Sequence, residues 1–152
     1  IDTVNGIIDS RGSKGKEDSY ESVNGNIAVF SGSGDINVES VNGDIVLELG
    51  KVNQLNMVTV NGSIYAMLEL EKNGEIEASS VGGPIRLLLQ NDVSARFDIE
   101  SHTGGKITNK LSDDKIQEAK YGPNCWLKFS LNGGSAKVNV STINGRIALD
   151  KK

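Results

Sequence analysis

A chain of 152 residues with 18 glycines, only 2 prolines and 37% apolar residues turns often, has room for one continuous core, and is too rich in Ile, Val and Leu to be disordered. Its net charge of −4, with Lys and Arg scattered among acids, leaves no basic face and argues against a nucleic-acid partner. Cys125 is the one cysteine, which excludes an internal disulfide, and no apolar run reaches the roughly 18 residues of a transmembrane segment.

The opening Ile1-Asp2-Thr3-Val4 reads as neither a signal peptide nor an initiator methionine, so a processed or trimmed chain is expected. A repeated segment begins at once with Val4-Asn5-Gly6-Ile7-Ile8. It recurs as Val23-Asn24-Gly25-Asn26-Ile27, Val41-Asn42-Gly43-Asp44-Ile45 and Val60-Asn61-Gly62-Ser63-Ile64. Looser copies follow as Val81-Gly82-Gly83-Pro84-Ile85, Thr103-Gly104-Gly105-Lys106-Ile107 and Ile143-Asn144-Gly145-Arg146-Ile147. The glycines at 6, 25, 43, 62, 83, 105 and 145 are spaced by 19, 18, 19, 21, 22 and 40 residues, the last step being two periods.

Aligned on the glycine, the copies form columns. The residue two after it is Ile8, Ile27, Ile45, Ile64, Ile85, Ile107 or Ile147, and the residue two before it is Val, Thr or Ile in every copy, as a strand approaching a corner favours. Three before it stand Thr3, Ser22, Ser40, Thr59, Ser80, His102 and Thr142, a hydroxyl column broken by His102. Upstream the pattern has period two, as in Ile36/Val38, Leu55/Met57, Ile76/Ala78 and Val138/Val140, and further Gly-containing bends fall at Gly34-Asp35, Asn73-Gly74 and Gly133-Gly134.

These columns predict an all-β fold: a β-solenoid, parallel β-helix-like, of about seven coils of ~20 residues, forming one domain over residues 1–152. The isoleucines would pile into an interior ladder, and Asn5, Asn24, Asn42 and Asn61 would stack at one edge, their amides bonding between coils, with Asn144 as a further corner residue. Gly suits the corner by its access to positive φ, and the hydroxyls are expected to satisfy one another. The competing architecture is a meander or sandwich of Asn-Gly hairpins, which has no reason to repeat its side-chain pattern every twenty residues. Gln90–Ala95 reads as a polar loop, and an irregular insertion is expected near 108–131. Within it, 111–119 suggests a short helix capped by Ser112 or Asp113; Tyr121-Gly122-Pro123-Asn124 then turns the chain into a strand at 126–131.

The repeated Ser-Val-Asn-Gly-Asp-Ile, the run Leu88–Glu100, Tyr121-Gly122-Pro123-Asn124 and the closing Val138–Leu149 together resemble the bacterial "putative-adhesin" domain family over essentially the whole chain. The resemblance implies a β-helix-like fold, surface adhesion and a place in the cell envelope; it brings no catalytic residues.

Side chains capable of chemistry are sparse. His102 with Cys125, or with a serine, would be needed for nucleophilic catalysis, yet His102 sits in a corner column and Cys125 beside Trp126 reads as a small core residue. Asp35, Glu39, Asp44 and Glu48, with Glu77 or Glu100, could serve a polysaccharide-cleaving or lectin site, but they alternate with aliphatics as a solvated strand face does. Gly32-Ser33-Gly34-Asp35-Ile36 has the look of a calcium β-roll turn but occurs once. Asn61-Gly62-Ser63 and Asn139-Val140-Ser141 match the glycosylation triplet, and an ice-binding Ser/Thr ladder would be interrupted by His102. The sequence therefore predicts a non-enzymatic, extracytoplasmic scaffold or adhesin-type module without cofactor or metal. Its partner would be a surface ligand, protein or glycan, with self-association through open coil ends and glycan binding or degradation as the alternatives.

Overall fold

The computed structural model describes residues 1–12, 15–30, 34–90, 92–103, 105–111, 116–118, 122 and 124–151. Their period-two pattern and β-branched content yield strands throughout and no helix. In chain order these are β1 (Asp2–Asn5), β2 (Ile8–Arg11), β3 (Glu17–Asn24), β4 (Ile27–Phe30), β5 (Asp35–Asn42), β6 (Ile45–Asn61) and β7 (Ile64–Ser80). There follow β8 (Ile85–Leu89), β9 (Ala95–Ser101), β10 (Ile107–Asn109), β11 (Gln117–Glu118), β12 (Cys125–Leu131), β13 (Ala136–Thr142) and β14 (Ile147–Lys151).

All fourteen belong to one mostly parallel sheet. One path of hydrogen-bonded neighbours runs β1-β3-β5-β6-β7-β13-β9-β12-β11; a second runs β2-β4-β6-β7-β8-β14-β10. The long strands β6 and β7 belong to both, because residues 45–48 and 64–67 pair in the second path while 54–59 and 75–80 pair in the first. Among the described residues no two strands flanking an Asn-Gly corner pair antiparallel across it, and where such strands do pair, as β5 with β6 and β6 with β7, the pairing is parallel, so these corners are not hairpins.

Register is strict. Ile8 pairs with Ile27, Ile27 with Ile45, Ile45 with Ile64 and Ile64 with Ile85. All seven isoleucines are buried, none more than 6% exposed. At the ~4.8 Å spacing of paired strands they form one aliphatic file, each contributing roughly 1.5–3 kcal/mol as an upper estimate. The same hydrophobic cluster receives Ile36, Val38, Leu55, Met57, Ile76, Val138 and Val140 from the first path, so both sets of strands share a single core.

Sequence order and spatial order part company at the end. Ile85 pairs with Ile147, and Ile147 with Ile107, so the last Asn-Gly segment lies between the fifth and the sixth. The expectation of segments following one another in sequence is corrected here. Strand β13 takes parallel partners on both sides, β7 and β9, while β12 lies antiparallel on the outer side of β9. Phe129 of β12 stacks on Phe97 of β9 with ring centroids 4.5 Å apart. With β12 closing that edge, the two parallel edges of β7 and β9 are both completed by β13. The turn from β12 to β13 passes the start of β9, where Asn132 Nδ2 donates to the Val93 carbonyl (3.0 Å) and Ser94 Oγ to the Asn132 carbonyl (2.7 Å). Asn132, Gly133 and Gly134 all take positive φ there, and Asn73 does so within β7.

Other expectations shift in detail. In the polar loop, Gln90 lies against β7 like a missing strand: its amide accepts from Leu70 N (3.0 Å) and donates to Leu70 O (2.9 Å). The helix expected over 111–119 falls largely outside the described residues, as do its candidate caps Ser112 and Asp113; the described Gln117–Glu118 is a strand antiparallel to β12. Tyr121 and Pro123 of the expected turn also lie outside, and the strand expected at 126–131 is observed as β12.

Two predictions follow from burial and layer order. Ile64→Asp, which buries a charge in the middle of the file, abolishes cooperative thermal unfolding, whereas Lys72→Ala on the exposed side of β7 shifts stability by less than about 0.5 kcal/mol. Deleting residues 136–152 removes a central layer and leaves a chain without a cooperative melting transition by circular dichroism; deleting 1–15 removes only an edge layer, and that chain still melts cooperatively.

Candidate functional site

The Asn-Gly corners generate the outer surface of the molecule. At each, the glycine approaches the backbone of the adjacent layer so closely that a side chain has no space. A Cβ on Gly25 would lie 1.7 Å from the Gly6 carbonyl oxygen, and those on Gly43, Gly62, Gly83, Gly145 and Gly105 would meet the carbonyls of Gly25, Gly43, Gly62, Gly83 and Gly145 at 1.6–2.1 Å. None of these corner glycines has positive φ. The expected reason for glycine, access to the left-handed region, is therefore replaced by close backbone approach.

Beside the glycines the asparagines link the layers. Asn24 Nδ2 donates to Asn5 Oδ1 (3.0 Å), Asn42 to Asn24 (3.0 Å) and Asn61 to Asn42 (3.1 Å). The file ends where Gly82 takes the asparagine position, and Asn144, whose backbone N–H donates to the Val81 carbonyl, stands beyond that gap.

The hydroxyl column is unbroken and faces inward. Ser101, not His102, pairs with Thr142, because five residues separate Ser101 from Ile107 where four separate Thr142 from Ile147. Ser22, Ser40, Thr59, Ser80, Ser101 and Thr142 are all buried. Instead of satisfying one another, three of them bond within their own corners: Gly83 N donates to Ser80 Oγ (3.0 Å), which donates to the Gly83 carbonyl (3.0 Å), Ser40 Oγ donates to the Gly43 carbonyl (3.4 Å) and Gly145 N donates to Thr142 Oγ1 (2.9 Å), whereas the hydroxyls of Ser22, Thr59 and Ser101 have no hydrogen-bond partner among the described residues. Buried hydroxyls give no solvent-facing ladder for ice. His102 N donates to the Thr142 carbonyl as Ile143 N does to Ser80 and Val81 N to Thr59. His102 thus occupies the position of the β-branched residue before Asn-Gly.

That position produces an apolar ridge. Val4, Val23, Val41, Val81 and Ile143 are all more than 40% exposed and stand in successive layers, with half-buried Val60 among them. A groove of about 450 Å³ lies beside it, lined by Val23, Val41 and Val58 and edged by Asp2, Glu21 and Glu39. The sequence carries the signal for this exposure: Ser40 and Val38 share the inward phase of the period-two pattern, which places Val41 outward.

The candidate chemical residues do not converge. His102 is 48% exposed with Glu100 3.7 Å away, while Cys125 is buried and its thiol donates to the Gly105 carbonyl (3.4 Å). Asp35 lines an open depression of about 290 Å³ with Glu17, Glu75 and Glu77 on the outside of the first path. Glu39 pairs in register with Glu21 and Val58, and Glu48 sits on the second path beside Phe30 and Met67. Asp44 is used in the corner, accepting from Ser63 N (2.8 Å) and Ser63 Oγ (2.9 Å). Among the described residues no three acids, histidines or cysteines form a metal-sized group. Gly32 and Ser33 of the calcium-like turn lie outside the described residues, and Asp35 accepts from Asn53 Nδ2 (3.2 Å). Of the glycosylation triplets, Asn61 is engaged in the asparagine file and Asn139 lies between Glu77 and Asp98. Arg11 is raised above its ordinary range by its hydrogen bonds to Asp9 first and by Asp9's charge second.

The glycine contacts yield a paired prediction. Gly43→Ala pushes a methyl group into the Gly25 carbonyl and costs about 3 kcal/mol or more, because the obstructing atom is backbone. Gly50→Ala, with nothing within 4 Å, leaves the melting temperature unchanged or slightly raised.

No protein-family model matches the chain. A solved structure from Clostridium sporogenes ATCC 15579, named a "putative cell adhesion protein", is similar at 16% identity with a TM-score of 0.42, over 88% of this chain and 56% of that protein's length.

Proposed function

We propose that the chain is a non-enzymatic binding or scaffold module of adhesin type, built as a β-solenoid of seven stacked windings within one domain and acting outside the cytoplasm. What supports the solenoid reading is the in-register pairing of every Ile that follows an Asn-Gly corner. The binding reading is carried by the ridge of Val4, Val23, Val41, Val81 and Ile143, an exposed apolar line bordered by Glu21 and Glu39. A rigid sheet holds these side chains at fixed spacing, so little ordering entropy opposes association with a complementary surface. The extracytoplasmic location and the adhesive role rest on the sequence resemblance, and the ligand class is a surface protein or glycan.

The test is a screen of the purified chain against glycan arrays and extracellular matrix proteins, with a parallel assay for polysaccharide cleavage. Saturable binding that falls about tenfold or more in Val23→Asp/Val41→Asp, at unchanged melting temperature, supports the reading. Release of new sugar ends that stops on Asp44→Ala overturns it.

A further inference from the structure

We propose that Asn61-Gly62 is a modification site, the one Asn-Gly corner at which the folded chain deamidates through a cyclic imide. The inference rests on the hydrogen bonding of the corners and is independent of the adhesive role.

The corner glycines satisfy their backbone N–H groups in two ways. In the first layers the donor reaches across to the next layer: Gly6 N donates to the Asn24 carbonyl (3.2 Å), Gly25 N to the Asn42 carbonyl (3.0 Å) and Gly43 N to the Asn61 carbonyl (3.2 Å). In later layers it turns back onto the hydroxyl three residues earlier, Gly83 N onto Ser80 Oγ (3.0 Å) and Gly145 N onto Thr142 Oγ1 (2.9 Å). Gly62 lies where the first mode gives way to the second, and it has neither bond. Its N–H finds no acceptor among the described residues, and Thr59 Oγ1, the hydroxyl that corresponds to those of Ser80 and Thr142, is buried without a partner.

The carboxamide beside it is loosened at the same point. The Oδ1 atoms of Asn5, Asn24 and Asn42 each accept from the amide of the next layer. Asn61 Nδ2 donates to Asn42 Oδ1 (3.1 Å), but Gly82 has no amide to donate to Asn61 Oδ1, and Asn61 is exposed to water.

The two unheld groups are the reacting ones. Gly62 N gives up its proton to solvent as its lone pair bonds to Asn61 Cγ; the Cγ–Nδ2 bond breaks, and Nδ2 takes a proton and leaves as ammonia. Water then adds to one of the two imide carbonyls and opens the ring, leaving aspartate or isoaspartate at position 61. The same ring at Asn24 or Asn42 first requires the glycine N–H to leave its carbonyl and Oδ1 to lose its donor; at Asn61 neither bond has to break. Either product loses the donor that holds Asn42. Isoaspartate also lengthens the main chain beside the glycine that lies against the Gly43 carbonyl, so the modification loosens the stack between its third and fourth corners.

The full chain, held below its melting temperature in mildly alkaline water enriched in heavy oxygen, tests this by peptide mapping and mass spectrometry, with each Asn-Gly pair followed separately. Asn61 is expected to convert about fivefold or more faster than Asn24 and Asn42, with heavy oxygen incorporated and isoaspartate among the products. Gly82→Asn supplies the missing amide: a Cβ there meets Asn61 Oδ1 and the Val60 carbonyl at 3.7 Å, an ordinary contact. That variant is expected to slow conversion of Asn61 about threefold or more at unchanged melting temperature. In the parent chain the Gly62 amide is expected to exchange with deuterium about tenfold faster than those of Gly25 and Gly43, a measurement that holds even if Gly82→Asn misfolds. Equal conversion at Asn24, Asn42 and Asn61 means that only global unfolding exposes them, and overturns the proposal. So does equal protection of the three glycine amides, or an undiminished rate at Asn61 in folded Gly82→Asn.

Discussion

The contact on which the rest depends is the approach of one glycine carbonyl to the next glycine at the corner. With Cβ positions 1.6–2.1 Å from backbone oxygen, any residue other than glycine would force the layers apart. Moving a layer apart by even a fraction of an ångström lengthens its ladder hydrogen bonds and opens gaps between stacked aliphatics, where dispersion falls off steeply. The close approach also fixes register: a slip of one residue would put Asn, or the residue after the glycine, where Gly must be and turn the Ile file outward. The Ile core, the asparagine file and the braced hydroxyls are all consequences of layers locked at this one point. Where a hydroxyl satisfies its own corner, as those of Ser80 and Thr142 do, it needs nothing from the layer above, and so tolerates a neighbour of different length.

Layer order shows how the stack is finished. A parallel stack that simply stopped at β9 and β10 would leave an edge at one end as open as the one at β1 and β2. Here the chain folds β12 back antiparallel on β9 and then carries its last segment inward, so both faces of β13 are paired and the outer side of β9 is covered by β12 and β11, while β10 pairs with β14 alone among the described residues. Reaching this arrangement requires contacts between Ile85 and Ile147, sixty-two residues apart, in place of the twenty-residue steps elsewhere. Such long-range closure carries a greater loop-entropy cost than the local stacking of the first layers.

Much of the fold was legible because the constraint is periodic. Ile at a fixed offset from Gly, β-branched residues before it and alternation upstream identify strands, corners and core without reference to distant contacts, and the structure buries all seven isoleucines. The exchange of the last two layers was not legible, since the columns of Gly105 and Gly145 fit either order equally well. His102 was misplaced by counting back from Gly105: the longer corner between Ser101 and Ile107 shifts every position before the glycine by one. Glycine itself misled, because positive φ and close backbone approach select the same residue; only coordinates separate the two. The valine ridge was visible as a column, but its exposure depends on phase relative to Ser40 and Val38, which the strand pattern fixes and composition does not.

Stacking also constrains what such a surface can do. A residue type repeated in successive layers recurs at ~4.8 Å, so like side chains become neighbours: valine beside valine along the ridge, and Glu21 beside Glu39 in the row next to it. Rows of like groups favour extended, low-specificity contact, whereas acid–base chemistry needs unlike groups meeting at one point, as nucleophile, base and orienting partner do. The ridge runs along the stack and is bounded by side chains on both sides, so its complement can be any surface of suitable shape and charge.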